Sequence, residues 1–66
     1  MTIYRLIYKD GFTTDMYFDN YKDAKRNYDE AVADIATSSA RIVSCEFVDG
    51  LLTPIKVLEH YEKKRK

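Results

Sequence analysis

A single cysteine, Cys45, excludes an intramolecular disulfide, and with a single histidine, His60, it cannot complete a four-ligand zinc site. Tryptophan is absent, proline occurs once, and the two glycines each stand alone. A lone glycine with no following cluster of backbone amides excludes a phosphate-binding loop. No apolar run approaches the ~20 residues needed to span a bilayer. The first residues, Met1-Thr2-Ile3-Tyr4-Arg5, show no cationic segment followed by a long apolar one, so the expectation is a soluble, cytoplasmic protein. A chain of 66 residues forms one small domain that buries about 60% of the surface its unfolded form exposes. With disulfide and metal closed to it, such a scaffold is expected to gain stability by association, as a homodimer or with a protein partner.

Charge is present in both signs, eleven cations against eleven acids, but it is unevenly placed. Lys63, Lys64, Arg65 and Lys66 hold four of those cations, which leaves residues 1–62 with a net charge of −4. The chain therefore reads as an acidic domain over 1–62 with a basic tail over 63–66. An acidic body on balance repels phosphates, which argues against nucleic acid as the main partner.

What the chain does have is one phrase used twice. Tyr8-Lys9-Asp10-Gly11-Phe12-Thr13-Thr14 and Phe47-Val48-Asp49-Gly50-Leu51-Leu52-Thr53 share aromatic, any, Asp, Gly, apolar, any, Thr. Each copy lies between alternating apolar residues, the short-range mark of a β-hairpin. A two-residue Asp10-Gly11 loop would gather Ile3, Arg5, Ile7, Phe12, Met16 and Phe18 on one face and mix charge into the core. A three-residue loop, Lys9-Asp10-Gly11, pairs Tyr8 with Phe12 and leaves Tyr4, Leu6, Tyr8, Phe12, Thr14, Met16 and Phe18 together, which makes it the preferred register. The same reasoning gives Val48-Asp49-Gly50 as the second loop. It places Val43, Cys45, Phe47, Leu51, Thr53, Ile55 and Val57 inward, with Ile42, Ser44, Glu46, Leu52, Pro54, Lys56 and Leu58 outward.

Between the hairpins, residues 20–38 carry a helical stripe of Tyr21, Ala24, Tyr28, Ala31, Val32 and Ile35. Asp19 or Asn20 can cap it, with Asp23 as the capping-box acid. The result is an α+β domain, a four-stranded antiparallel ββαββ sheet with one helix on one face. Order 2-1-3-4 makes every neighbouring pair antiparallel and sends Pro54, which cannot donate to a ladder, to an edge.

No residue set carries chemistry. His60 is flanked by Glu59, Tyr61 and Glu62, but neighbours in an extended segment point to opposite faces and do not converge. Cys45 falls among apolar side chains, where a thiol is inert. Asp29-Glu30 and Asp19 with Asp23 lack the alternation of a calcium loop. The expectation is a non-enzymatic protein without cofactor or metal. Its candidate partner surface is the outer sheet face, Ile3, Arg5, Ile7, Tyr17, Ile42, Leu52, Lys56 and Leu58, an apolar centre with charges around it. Lys63, Lys64, Arg65 and Lys66 are the candidate nucleic-acid contacts, in an alternative where the chain is a small regulator using the outer face and tail.

The hairpin, the helix beginning Asn20-Tyr21-Lys22-Asp23-Ala24-Lys25-Arg26, and the second hairpin with its basic tail resemble small bacteriophage-encoded accessory proteins, such as anti-CRISPR proteins and inhibitors of host RNA polymerase. The resemblance is one of size and ββαββ pattern, and it carries over no residue. It implies a protein that works in the host cytoplasm by binding one host machine and occluding a site on it.

Overall fold

The computed structural model describes residues 1–64. Its strands are β1 (Ile3–Lys9), β2 (Thr13–Phe18), β3 (Ser39–Val48) and β4 (Leu51–Glu62), with one helix, α1 (Tyr21–Ala33), between β2 and β3. They form one antiparallel sheet in the order β2-β1-β3-β4. Pro54 lies in edge strand β4, as its missing N–H requires. The helix covers one face of the sheet. Leu6, Ile42, Ala40, Ala24 and Tyr28 make the core there, with Tyr4, Tyr8, Met16, Phe18, Tyr21, Val32, Leu58 and Tyr61 packed around them.

The helix starts as its cap dictates. Asn20 is extended, its side-chain carbonyl accepts the Asp23 N–H at 2.8 Å, and its amide donates to the Asp23 carboxylate at 2.9 Å. It stops at Ala33, two residues before the apolar stripe ends and five before the expected boundary at 38. Asp34 turns to φ −78°, ψ 125°, and its carboxylate takes the Ala36 N–H at 2.9 Å, a local bond that competes with the helical one. Ile35 consequently leaves the stripe and is 86% exposed.

The two Asp-Gly phrases fold differently from each other and from expectation. In the first hairpin Lys9 pairs with Thr13 and Tyr8 with Thr14, so the three-residue loop is Asp10-Gly11-Phe12, one position later than Lys9-Asp10-Gly11. The shift moves the pairing by two, so the faces are unchanged and Tyr4, Leu6, Tyr8, Met16 and Phe18 still look toward the helix. Phe12 is the exception, drawn into the loop and 83% exposed. In the second hairpin Val48 pairs with Leu51 across a two-residue loop. Asp49 at φ 52° and Gly50 at φ 79° both occupy the left-handed region that a type I′ turn demands.

The two-residue loop reverses β3 but leaves the start of β4 as expected, Leu51 and Thr53 on the helix side and Leu52 and Pro54 on the other. Leu6 pairs with Ile42, and Ile42 is fully buried under the helix. Val43 and Cys45 lie on the opposite face, and Phe47, Leu51, Ile55 and Val57, expected inward, are exposed. The pairing of β3 with β4 slips twice, between Ser44 and Cys45 and between Ile42 and Val43. Each slip leaves one extra β4 residue, Ile55 and then Leu58, as a β-bulge.

Candidate functional site

The helix-free face of the sheet is ordered in rows by the strand pairing. Tyr17, Arg5, Val43 and Val57 form one row, Asp15, Ile7, Arg41 and His60 the next, and Ile3, Cys45 and Pro54 a third. Of the residues expected on this outer face, Ile3, Arg5, Ile7, Tyr17 and Leu52 are there. Ile42, Lys56 and Leu58 are not. Ile42 is core, Leu58 packs against that core from its bulge, and Lys56 pairs with Ser44 in the row of Tyr4 on the helix side. The physical reason is the two-residue turn, which exchanges the two faces of β3, and the bulges, which rephase β4. In their place the face gains Val43, Cys45, Phe47 and Val57. The signal for this was the Asp-Gly dipeptide itself, the preferred type I′ sequence.

Electrostatically the face is held together by Arg5. Its guanidinium donates to both oxygens of Asp15, at 2.9 and 2.5 Å, and sits 5.6 Å from the Tyr17 ring centroid. The hydrogen bond to Asp15 raises the Arg5 pKa, and the same bond lowers that of Asp15. Beside this pair lie the aliphatic side chains of Ile3, Ile7, Val43 and Val57. Cys45 is 2% exposed although no helix lies over it. Its thiol contacts the Val43 carbonyl at 3.7 Å, as a small apolar side chain with a weak donor would.

Beyond Ile3, where β1 ends, β3 and β4 continue as a two-stranded arm. It is pinned at its base by Thr2, whose hydroxyl donates to the Glu46 carboxylate at 2.5 Å. From there to the turn the arm carries Phe47, 62% exposed, and Val48 and Leu51, both exposed, with Asp49 the single charge at its tip. The molecule accordingly extends to 43 Å in one direction against 20 and 18 Å in the others.

At the opposite end of the sheet, His60 pairs with Arg41 and stands 4.0 Å from Glu62. Lys9, Ser38, Ser39, Glu62, Lys63 and Lys64 line an open recess there. Lys63 folds onto the loop before β3, donating its backbone N–H to Ser38 at 2.9 Å and its ammonium to the Ile35 carbonyl at 2.8 Å. Lys64 is exposed. Arg65 and Lys66, the remaining candidate nucleic-acid contacts, lie outside the described residues. Among the described residues no group of three His, Cys, Asp or Glu is placed to hold a metal ion, and no helix is long and apolar enough to cross a membrane.

No protein-family model, curated protein or solved structure matches the chain.

Proposed function

We propose that the chain is a non-enzymatic binding protein that docks on a macromolecular partner through its helix-free sheet face and the β3–β4 arm, and acts by occluding the site it covers. The observation that carries this reading is the arm. An isolated two-stranded hairpin is marginal in water, and here the two-stranded part has Phe47, Val48 and Leu51 exposed, with charge only at Glu46 at its base and Asp49 at its tip. Phe47 and Leu52 continue the outer face of Ile3, Ile7, Val43 and Val57, bordered by Arg5 and Tyr17, while Val48 and Leu51 lie on the other side of the arm. That outer face has the make-up of a contact surface: aliphatic and aromatic centre, Arg and Tyr at hand, charge at the rim. A small inhibitor of the phage-encoded kind, which the size and ββαββ pattern resemble, would act in this way.

The test is a double substitution, Arg5→Glu with Ile7→Asp, on a face that makes no contact with the helix. It places three acids, with Asp15, on adjoining rows. Circular dichroism is expected to report an unchanged fold, while the complex recovered by pull-down and sized by light scattering is lost. A complex that survives the double substitution refutes the face assignment.

A further inference from the structure

The same face is self-complementary end to end, and we infer that its occupant is a second copy of this chain, laid antiparallel so that each β3–β4 arm lies across the other's outer sheet face. This deepens the docking reading above and rests on it.

Three features of the face point to a copy of itself. The first is charge. One end of the outer face carries Lys9, Arg41 and His60, while the other carries Phe47 and Leu52 with Asp49 at the tip. Asp15 is engaged by Arg5, and Glu62 stands by His60. Among the described residues no ion pair engages Arg41 or Asp49, and both are exposed.

The second is spacing. Arg41 and Asp49 lie four positions to either side of Cys45, roughly 13 Å of strand in each direction. A two-fold axis passing between the sheets at the level of Cys45 sets each Arg41 opposite the partner copy's turn and each Val43 opposite the partner copy's Phe47 position. Every such contact occurs twice, as an isologous interface requires. Face-to-face sheets keep their strands within about 30° of alignment, so the full length of the two hairpins overlaps. Cys45, small and already buried, leaves the middle of the face free of a protruding or charged side chain.

The third is size. A broad side of 43 by 20 Å is on the order of the ~800 Å² that each partner contributes to a stable interface. Matching it with a second copy covers both arms at once, whereas a copy added edge to edge along β4 would meet Pro54 and two bulges, which obstruct strand pairing.

The experiment is sedimentation velocity of the full chain over rising concentration, with three variants: Arg41→Asp, Asp49→Lys, and the two combined. The wild type is expected to move from monomer to dimer. Each single variant sets like charges opposite each other at two symmetric positions and is expected to raise the dimer Kd by about tenfold or more. The combined variant restores opposite charges across the interface and is expected to return to within about threefold of wild type. A combined variant as weak as the singles overturns the antiparallel arrangement. A wild type that stays monomeric at every concentration overturns self-association. In that second case, if Arg5→Glu with Ile7→Asp still abolishes capture of a different protein, the docking reading stands without it. If that double variant changes nothing, both fall.

Discussion

Tyr21 ties the helix to the far edge of the sheet through one hydrogen bond. Its hydroxyl donates to the Glu59 carboxylate at 2.5 Å, while its ring meets Tyr4 edge-on with centroids 5.8 Å apart. That bond exists because β4 rephases at Leu58, which turns Glu59 to the helix side opposite Ile42. The bond to Glu59 raises the Tyr21 pKa, since the neutral phenol donates and the phenolate would face a carboxylate. The folded pKa thus lies above the unfolded value of about 10. The contribution of this bond is fully present below that value and lost as pH rises through the folded pKa. Denaturant unfolding of wild type is expected to lose stability through that alkaline range. Tyr21→Phe, less stable at neutral pH, should lose less over the same range, the remainder belonging to Tyr28, whose burial also raises its pKa, and an equal decline in both proteins would refute the assignment.

At the level of elements, the two hairpins show what the sequence discloses and what it does not. In β1 and β2 the faces differ clearly, because Tyr4, Leu6, Tyr8, Met16 and Phe18 share one face while Arg5, Thr13 and Asp15 interrupt Ile3, Ile7 and Tyr17 on the other. Any even shift of pairing preserves the faces, so they are legible even though the loop sits one residue later. The strand order was legible too, from Pro54 and the antiparallel requirement. In β3 the alternation fails, because Ile42 on one face and Val43 and Cys45 on the other are all apolar and all three end up buried. A strand apolar on both faces leaves its orientation to the turn. The likeness of the two Asp-Gly phrases concealed that they close differently, and the β4 bulges leave no mark in the sequence. The helix start was legible from Asn20, while its end was hidden by Asp34, whose local bond outcompetes a stripe extending to Ile35.

The turn is accordingly the element on which the candidate surface depends. Gly50 has no atom within 4 Å of an added Cβ, so Gly50→Ala meets no steric obstacle, only the backbone cost of φ 79°. That cost is about 1 kcal/mol. Thermal unfolding should show a loss of this size, and a neutral result would mean that the turn readily adopts another form. Asp49, at φ 52°, tolerates the left-handed region better than most side chains.

On the scale of the whole molecule, stability is concentrated at one end. The core cluster of Leu6, Ala24, Tyr28, Ala40 and Ile42 lies where α1 crosses β1 and β3. Toward the arm β1 has ended, and the strands have only each other. Local opening costs least where buried apolar contacts are few. Amide hydrogen exchange in dilute protein is therefore expected to be fast in residues 47–52 and slowest in β1 and the Ala40–Val43 part of β3. Covering the arm requires ordering it against an apolar surface, whether that of a second copy or of another protein. Exchange in residues 47–52 should then slow with rising concentration if the cover is a second copy, and remain unchanged if it is not. Protection of the arm as strong as that of Leu6 and Ile42 in dilute protein would contradict this division, because it would mean that the two-stranded segment needs no cover.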